Sequence, residues 1–161
     1  MENYIIRKIN KEDNPEVAQL IRAVFDEMDI PKVGTAYEDP YLDLMYEEYN
    51  KPKSVYYVVE NNGEIVGAAG IAPLANEDSS ICELQKMYFL PETRGIGIGT
   101  EMMEVCMQSA RNFGFEKCYL ETMPFMLDAQ KLYKKTGFEN IPAPMGSTGH
   151  TSCPVWMLKQ L

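Results

Sequence analysis

The sequence predicts a mixed α/β fold: a central mixed, mostly antiparallel sheet flanked by about four helices. Three observations predict it. Strand-like runs come in a consecutive group, Ser54–Glu60, Glu64–Ala72 and Ile81–Leu90, with short polar connections of the kind that antiparallel pairing allows. After Leu90 the pattern changes to helix, strand, helix, strand. Two long runs carry apolar residues at a period near 3.6, which is the signature of helices with one buried face.

The elements follow in order. Tyr4–Ile9 alternates loosely and reads as a first strand. Lys11–Pro15 is a turn, its proline suited to an early helical position. Pro15–Met28 places Val17, Leu20, Ile21, Val24, Phe25 and Met28 on one helical face. Asp29–Asp39 holds Pro31 and Gly34 and reads as a loop. Pro40–Tyr49 reads as a shorter second helix, its aromatic residues either packed or lining a pocket. Ser54–Glu60 is β-branched and aromatic. Asn61-Asn62-Gly63 marks a hairpin, because Asn-Gly tolerates positive φ, and Glu64–Ala72 returns.

Leu74–Ser80 is a polar loop before the strand Ile81–Leu90, which Pro91 bounds. A glycine turn, Gly95, Gly97 and Gly99, then leads into a helix with Ile98, Met102, Cys106, Ala110 and Phe113 near one face. Gly114 closes it. Lys117–Thr122 is a fifth strand, Leu127–Thr136 a helix stopped by Gly137, and Phe138 begins an extended segment. Pro142–Pro154 is expected to be a mobile loop. Val155–Leu158 reads as the last strand.

Composition narrows the function. A length of 161 residues with 45% hydrophobic content suits one domain with a real core. A net charge of −9 argues against non-specific nucleic-acid binding and is compatible with a cationic substrate. No apolar run approaches the length of about 18 residues that a membrane span needs, and the first residues lack the apolar core of a signal peptide. The expected location is cytoplasmic. Cys82, Cys106, Cys118 and Cys153 form no C-x-x-C pair and there is one histidine, so no metal site is expected and the cysteines read as free thiols.

The chemistry-bearing stretch runs from Ile81 to Phe113. A strand, a glycine turn and a helix N-terminus together make an anion site: the first helical amides lack partners and the helix dipole is positive there. Arg94 adds a forked cation. The physical reading is a pyrophosphate cradle. It is not a Walker loop, because Gly99 is followed by Thr100 and Glu101 rather than Lys-Ser or Lys-Thr. It is not the dinucleotide fingerprint either, since Thr100 or Met102 falls where its third glycine belongs.

Leu84-x-x-Met87-Tyr88-Phe89-Leu90-Pro91 followed by Arg94-x-x-Gly97-x-Gly99 resembles the acetyl-CoA motif of the GNAT N-acetyltransferase superfamily. Ala129-x-x-Leu132-Tyr133-x-x-x-Gly137-Phe138 resembles its second motif, and the order of elements is also that of the GNAT fold. Many members carry an asparagine three residues before the alanine, where this chain has Met126. The resemblance implies that residues 1–161 form one N-acetyltransferase domain. It would move an acetyl group from acetyl-CoA, a co-substrate, to a small-molecule amine or peptide acceptor. It also implies that Met87, Tyr88, Phe89, Arg94, Gly95, Ile96, Gly97, Ile98, Gly99 and Thr100 bind the co-substrate, the amides near Tyr88 polarising the acetyl carbonyl.

There are two candidates for catalysis. Glu83 lies in largely apolar surroundings that would raise its pKa, which suits a general base. Its structural alternative is a solvent-facing carboxylate, or one paired with Lys86. Glu121 competes for the same role. Tyr133 is the acid candidate, with a packed helix aromatic as the alternative. His150 sits in a Gly-Ser-Thr loop and reads as solvated, or else as part of a loop closing over the acceptor. A non-catalytic acyl-CoA-binding domain on the same fold is the rival class. Oligomeric state is not set by the sequence; a homodimer stays open.

Overall fold

The structure, a computed structural model, describes residues 3–161. Among them seven strands form one sheet: β1 (Tyr4–Lys8), β2 (Val55–Asn61), β3 (Glu64–Pro73), β4 (Ile81–Phe89), β5 (Lys117–Thr122), β6 (Glu139–Ile141) and β7 (Val155–Gln160). The spatial order is β1-β2-β3-β4-β5-β7-β6. Only the β4–β5 pair is parallel. The helices are α1 (Asn14–Glu27), α2 (Met45–Tyr49), α3 (Ile98–Asn112) and α4 (Leu127–Lys135).

Each face of the sheet has its own core. On one, Met102, Met103, Cys106 and Met107 of α3 pack with Tyr133 and Phe138 over Val59, Ile71, Leu84 and Leu120. On the other, Val17, Ile21, Val24 and Phe25 of α1 pack with Met45 and Tyr49 over Tyr56, Val58 and Ala68. The apolar faces expected of Pro15–Met28 and of the helix after Gly97 are therefore the buried ones. Cys82, Cys106 and Cys118 are buried free thiols, as their positions in apolar runs implied.

The segment Pro40–Tyr49 departs from expectation. It is helical only from Met45, and Thr35 caps a 3-10 turn over Ala36–Glu38 instead. Asp39 precedes Pro40 and is held extended (φ −60°, ψ 128°), which breaks any continuous helix. The short helix that remains is capped from α1: Asn14 Oδ1 accepts the Tyr46 amide at 2.8 Å.

Two features of β4 interrupt the regular sheet. The first is a β-bulge: between Gln85, opposite Gly70, and Tyr88, opposite Ala68, the strand carries one extra residue. Lys86 sits in it at φ +47°, a conformation that costs a non-glycine residue energy unless its surroundings enforce it. They do: the Tyr56 hydroxyl donates to the Lys86 carbonyl at 2.7 Å. On β3, Gly67 leaves the space that the Phe89 ring occupies; a Cβ there would lie 2.3 Å from that ring. The second is a short pairing: β4 meets β5 only through Ile81, Cys82 and Glu83. Beyond Glu83 the two parallel strands separate, and the sheet opens into a wedge.

Candidate active site

Two cavities meet at that wedge. The larger, of about 590 Å³, runs from Met87, Tyr88 and Phe89 past Arg94 and the glycine turn, along α4. The smaller, of about 70 Å³, lies on the α1 side and is lined by Glu83, Lys86, Glu121, His150 and Cys153 among others. Met87, Tyr88, Met126 and Tyr133 line both.

The glycine turn has the geometry of an anion site. Gly95 (φ +77°) and Gly97 (φ +90°) are left-handed, and Gly97 is the N-cap of α3. The first bond of the helical ladder runs from the Glu101 amide to the Gly97 carbonyl at 3.2 Å. The amides of Ile98, Gly99 and Thr100 precede it and have no helical acceptor. A Cβ built on Gly97 would meet nothing within 4 Å, so the cleft is open there. Arg94 is folded back: Nε and NH2 donate to the Phe89 carbonyl, and NH2 pairs with Glu27 of α1 at 2.7 Å.

Of the residues assigned to the co-substrate from sequence, Met87, Tyr88, Phe89, Arg94, Gly95, Gly97, Gly99 and Thr100 line the larger cavity. Ile96 and Ile98 do not. The Ile96 side chain is 53% exposed, and that of Ile98 turns into the core. Sequence reasoning missed Lys131 and Lys135, one helical turn apart on α4 and both lining the cavity. Their i, i+4 spacing beside Leu132-Tyr133 was the available signal.

The smaller cavity is built on one face of the wedge. Glu83 is opposite Tyr119 across β4–β5, and Glu121 lies two residues further along the same face of β5. Glu83 is only 6% exposed. Burial pushes its carboxyl up to about 7, opposed by a hydrogen bond from Gln85 Nε2 at 2.6 Å. Gln85 is held in turn by the Tyr49 hydroxyl at 2.6 Å, so the amide orientation is fixed. Glu83 is thus neither solvent-facing nor paired with Lys86. Glu121 accepts from Tyr119 at 2.7 Å and from Thr148 at 2.6 Å.

Lys86 finds a different carboxylate. Its side chain, 2% exposed, pairs with Asp39 at 2.5 Å and donates to the Tyr41 hydroxyl at 3.2 Å. His150 Nε2 lies 3.0 Å from the same Asp39. The solvated reading of His150 fails for that reason. The loop that bears it is anchored rather than free: Ser147 donates to the Ala75 carbonyl and Ser152 to that of Gly34, at 2.8 and 3.0 Å. Tyr41 serves the same cluster, its ring 4.6 Å below the ammonium.

Tyr133 stands where the cavities join. It is 7% exposed, and burial pushes its phenol up to about 12. Its hydroxyl makes no hydrogen bond to any described residue. A proton-bearing group that no protein atom satisfies, beside a carboxylate with a pKa near neutrality, is suited to proton transfer during group transfer. Among the described residues no group of three or more His, Cys, Asp or Glu is placed to hold a metal ion. No helix of the described chain is long and apolar enough to cross a membrane.

Residues 17–138 match the acetyltransferase (GNAT) family. An uncharacterized N-acetyltransferase of Escherichia coli strain K12 is 46% identical over 98% of this chain and 95% of its own length. The chain belongs to the GNAT acetyltransferase family. It is an acetyl-CoA-dependent acyltransferase. An IAA acetyltransferase of Azospirillum brasilense is 30% identical over 69% of this chain and 71% of its own. The fold is shared more widely. A GNAT acetyltransferase from Staphylococcus aureus Mu50 superposes with a TM-score of 0.87 at 20% identity, covering 99% of each chain. The PaiA N-acetyltransferase of Thermoplasma acidophilum, solved in complex with coenzyme A, does so at 0.76 and 17%, also over 99% of each. As a GNAT protein the chain has the expected mixed sheet and the opening of β4 from β5 that frames both cavities.

Proposed function

We propose that residues 1–161 act as one domain that moves the acetyl group of acetyl-CoA to a primary amine by direct attack within a ternary complex. The observation that carries this reading is the position of Tyr133, its unpartnered hydroxyl at the junction of the two cavities, with the buried Glu83 lining the smaller one. The co-substrate enters along the larger cavity. Its pyrophosphate takes the amides of Ile98, Gly99 and Thr100, and Arg94 leaves Glu27 to join it. Lys131 and Lys135 supply further positive charge along the same cleft.

The amine approaches from the smaller cavity. An ammonium has no lone pair, so it must first lose a proton; Glu83, with a pKa of about 7, takes it directly or through water. The neutral nitrogen attacks the thioester carbonyl, whose developing oxyanion is met by backbone amide near the Lys86 bulge. The C–N bond forms, the C–S bond breaks, and the second amine proton ends on the departing sulfur. Tyr133, at a pKa of about 12, lies above a thiol near 8.5, so it donates a hydrogen bond to the thiolate rather than surrendering its proton. Holding both substrates in one site supplies much of the acceleration.

The test is release of free CoA thiol from acetyl-CoA in the presence of a panel of primary amines, with both concentrations varied. Intersecting initial-rate lines are expected. Tight binding of acetyl-CoA with no thiol release for any amine would overturn the catalytic reading in favour of a binding domain.

A further inference from the structure

The hydrogen-bond inventory of the smaller cavity says what kind of acceptor it suits, given the acyl-transfer reading above. Its charged donor is spent. Lys86 is committed to Asp39 and Tyr41, and its ammonium lies over the Tyr41 ring. His150 Nε2 is engaged by Asp39. The neutral donors are largely spent as well: Thr35 donates to the Pro31 and Lys32 carbonyls, Thr148 and Tyr119 to Glu121, and Gln85 to Glu83. A ligand carboxylate would find no cation with a free N–H there, and would lie against Glu83 and Glu121.

The acceptor side of the inventory is not spent. Each carboxylate offers about four lone-pair sites. Glu83 receives one protein hydrogen bond and Glu121 two, one on each oxygen. The Cys153 thiol, which lines the same cavity, is pushed up to about 11 by burial and by Glu121, Glu83 and Asp39. The carboxylates therefore surround one small volume. The buried, unpartnered Tyr133 hydroxyl points to a ligand in that volume independently of them. Against the Asp39–Lys86 pair, which closes on itself, Glu121 is the carboxylate left to receive a cation once Glu83 serves the attacking amine.

Strand geometry sets a length. Glu83 and Glu121 are one strand apart and two residues out of step on one face. At about 4.8 Å between strands and 3.3 Å per residue, their Cα atoms are about 8 Å apart. We propose that the acceptor is a small aliphatic diamine, one nitrogen attacking beside Glu83 and the other held as an ammonium by Glu121, with three to five methylenes between them. In the reaction the first ammonium gives one proton to Glu83 and a second to the departing thiolate. The distal ammonium keeps all of its protons and is not consumed. The products are a monoacetylated diamine and CoA.

The experiment compares acceptors that share a primary amine and a chain length and differ only at the far end: butane-1,4-diamine, butan-1-amine and 4-aminobutanoate. Thiol release gives kcat/KM for each with the full chain, and calorimetry gives acetyl-CoA binding separately. The diamine is expected to exceed the monoamine by at least about tenfold, beyond the factor of two that its identical ends supply, and the amino acid by about a hundredfold. Glu121→Gln should bring the diamine-to-monoamine ratio down to about two, whatever it does to the absolute rates. If Glu121 were instead the base, both rates would fall together and the ratio would hold, which overturns the assignment. A wild-type enzyme that binds acetyl-CoA but prefers the monoamine or the amino acid, or turns over none of the three, overturns the diamine while leaving the co-substrate site intact. An enzyme that does not bind acetyl-CoA at all overturns the acyl-transfer reading on which this rests. A ratio unchanged in Glu121→Gln, with a melting temperature that shows it folded, also sinks the proposal.

Discussion

Glu83→Gln separates a catalytic carboxylate from a merely buried one, because it changes rate and stability in opposite directions. The substitution keeps the shape, and the new carbonyl oxygen still accepts from Gln85 Nε2. What it removes is a group whose pKa rises from an ordinary 4.5 to about 7 on folding, chiefly through burial. Between those values the folded state holds a proton that the unfolded chain has lost, so wild-type stability falls as pH rises from about 4.5 to 7 and then levels off. At about 1.4 kcal/mol per pH unit the full loss is about 3 kcal/mol. The amide of the variant never ionises and does not suffer it. The variant should match wild type near pH 4.5 and melt several degrees higher at pH 8. Over the same range kcat/KM for acetyl transfer should fall about a hundredfold near neutrality, and the acidic limb near pH 7 should vanish. Thiol release at subsaturating amine from pH 5.5 to 9, beside melting curves at each pH, reads both. Full activity with an unchanged pH profile would refute the base assignment; lower stability at pH 8 would refute the burial argument beneath it.

Two further outcomes are expected. Gly97→Val puts a β-branched side chain at φ +90° with its Cβ in the open cleft, and should weaken CoA affinity at least about tenfold in titration calorimetry; unchanged affinity in a folded protein would remove the pyrophosphate reading. Asp39→Asn leaves the Lys86 ammonium buried without its counter-charge and should destabilise by about 3 kcal/mol at pH 7 in denaturant unfolding. Because Lys86 and His150 hold the Asp39 carboxyl below its ordinary range, its contribution is present at neutral pH and is lost as pH falls through that lowered value. The wild-type–variant gap should therefore close in acid.

Much of this architecture was legible in the chain, for identifiable reasons. The α1 and α3 faces were readable because each buries a stripe against a single core, so period alone decides them. The Asn62-Gly63 hairpin and the glycine turn were readable because both need positive φ. Glu83 stood out as a carboxylate in an apolar strand. What stayed hidden depends on contacts far apart in sequence. The helical reading of Pro40–Leu44 failed because Asp39 is pulled toward Lys86 and His150, both distant from it along the chain. The anchoring of the 142–154 loop rests on Gly34, Ala75 and Glu121, none of them near it in the chain. Ile96 and Ile98 were assigned to the cofactor with their glycine neighbours; the register of α3 turns Ile98 into the core and leaves Ile96 outside.

The central claim is that acyl transfer happens where the two cavities meet, and Tyr133 is the residue at that point. The direct measurement is the single-turnover rate of acetyl transfer in Tyr133→Phe, with CoA affinity and melting temperature measured on the same protein. Removing only the hydroxyl keeps the ring in its core beside Phe138. The expected result is a rate lower by about ten- to a thousandfold, with affinity and melting temperature close to wild type. A Tyr133→Phe enzyme that transfers at the full rate, alongside a Tyr133→Ala variant destabilised by a few kcal/mol from its cavity, would make Tyr133 a packing residue and contradict the account.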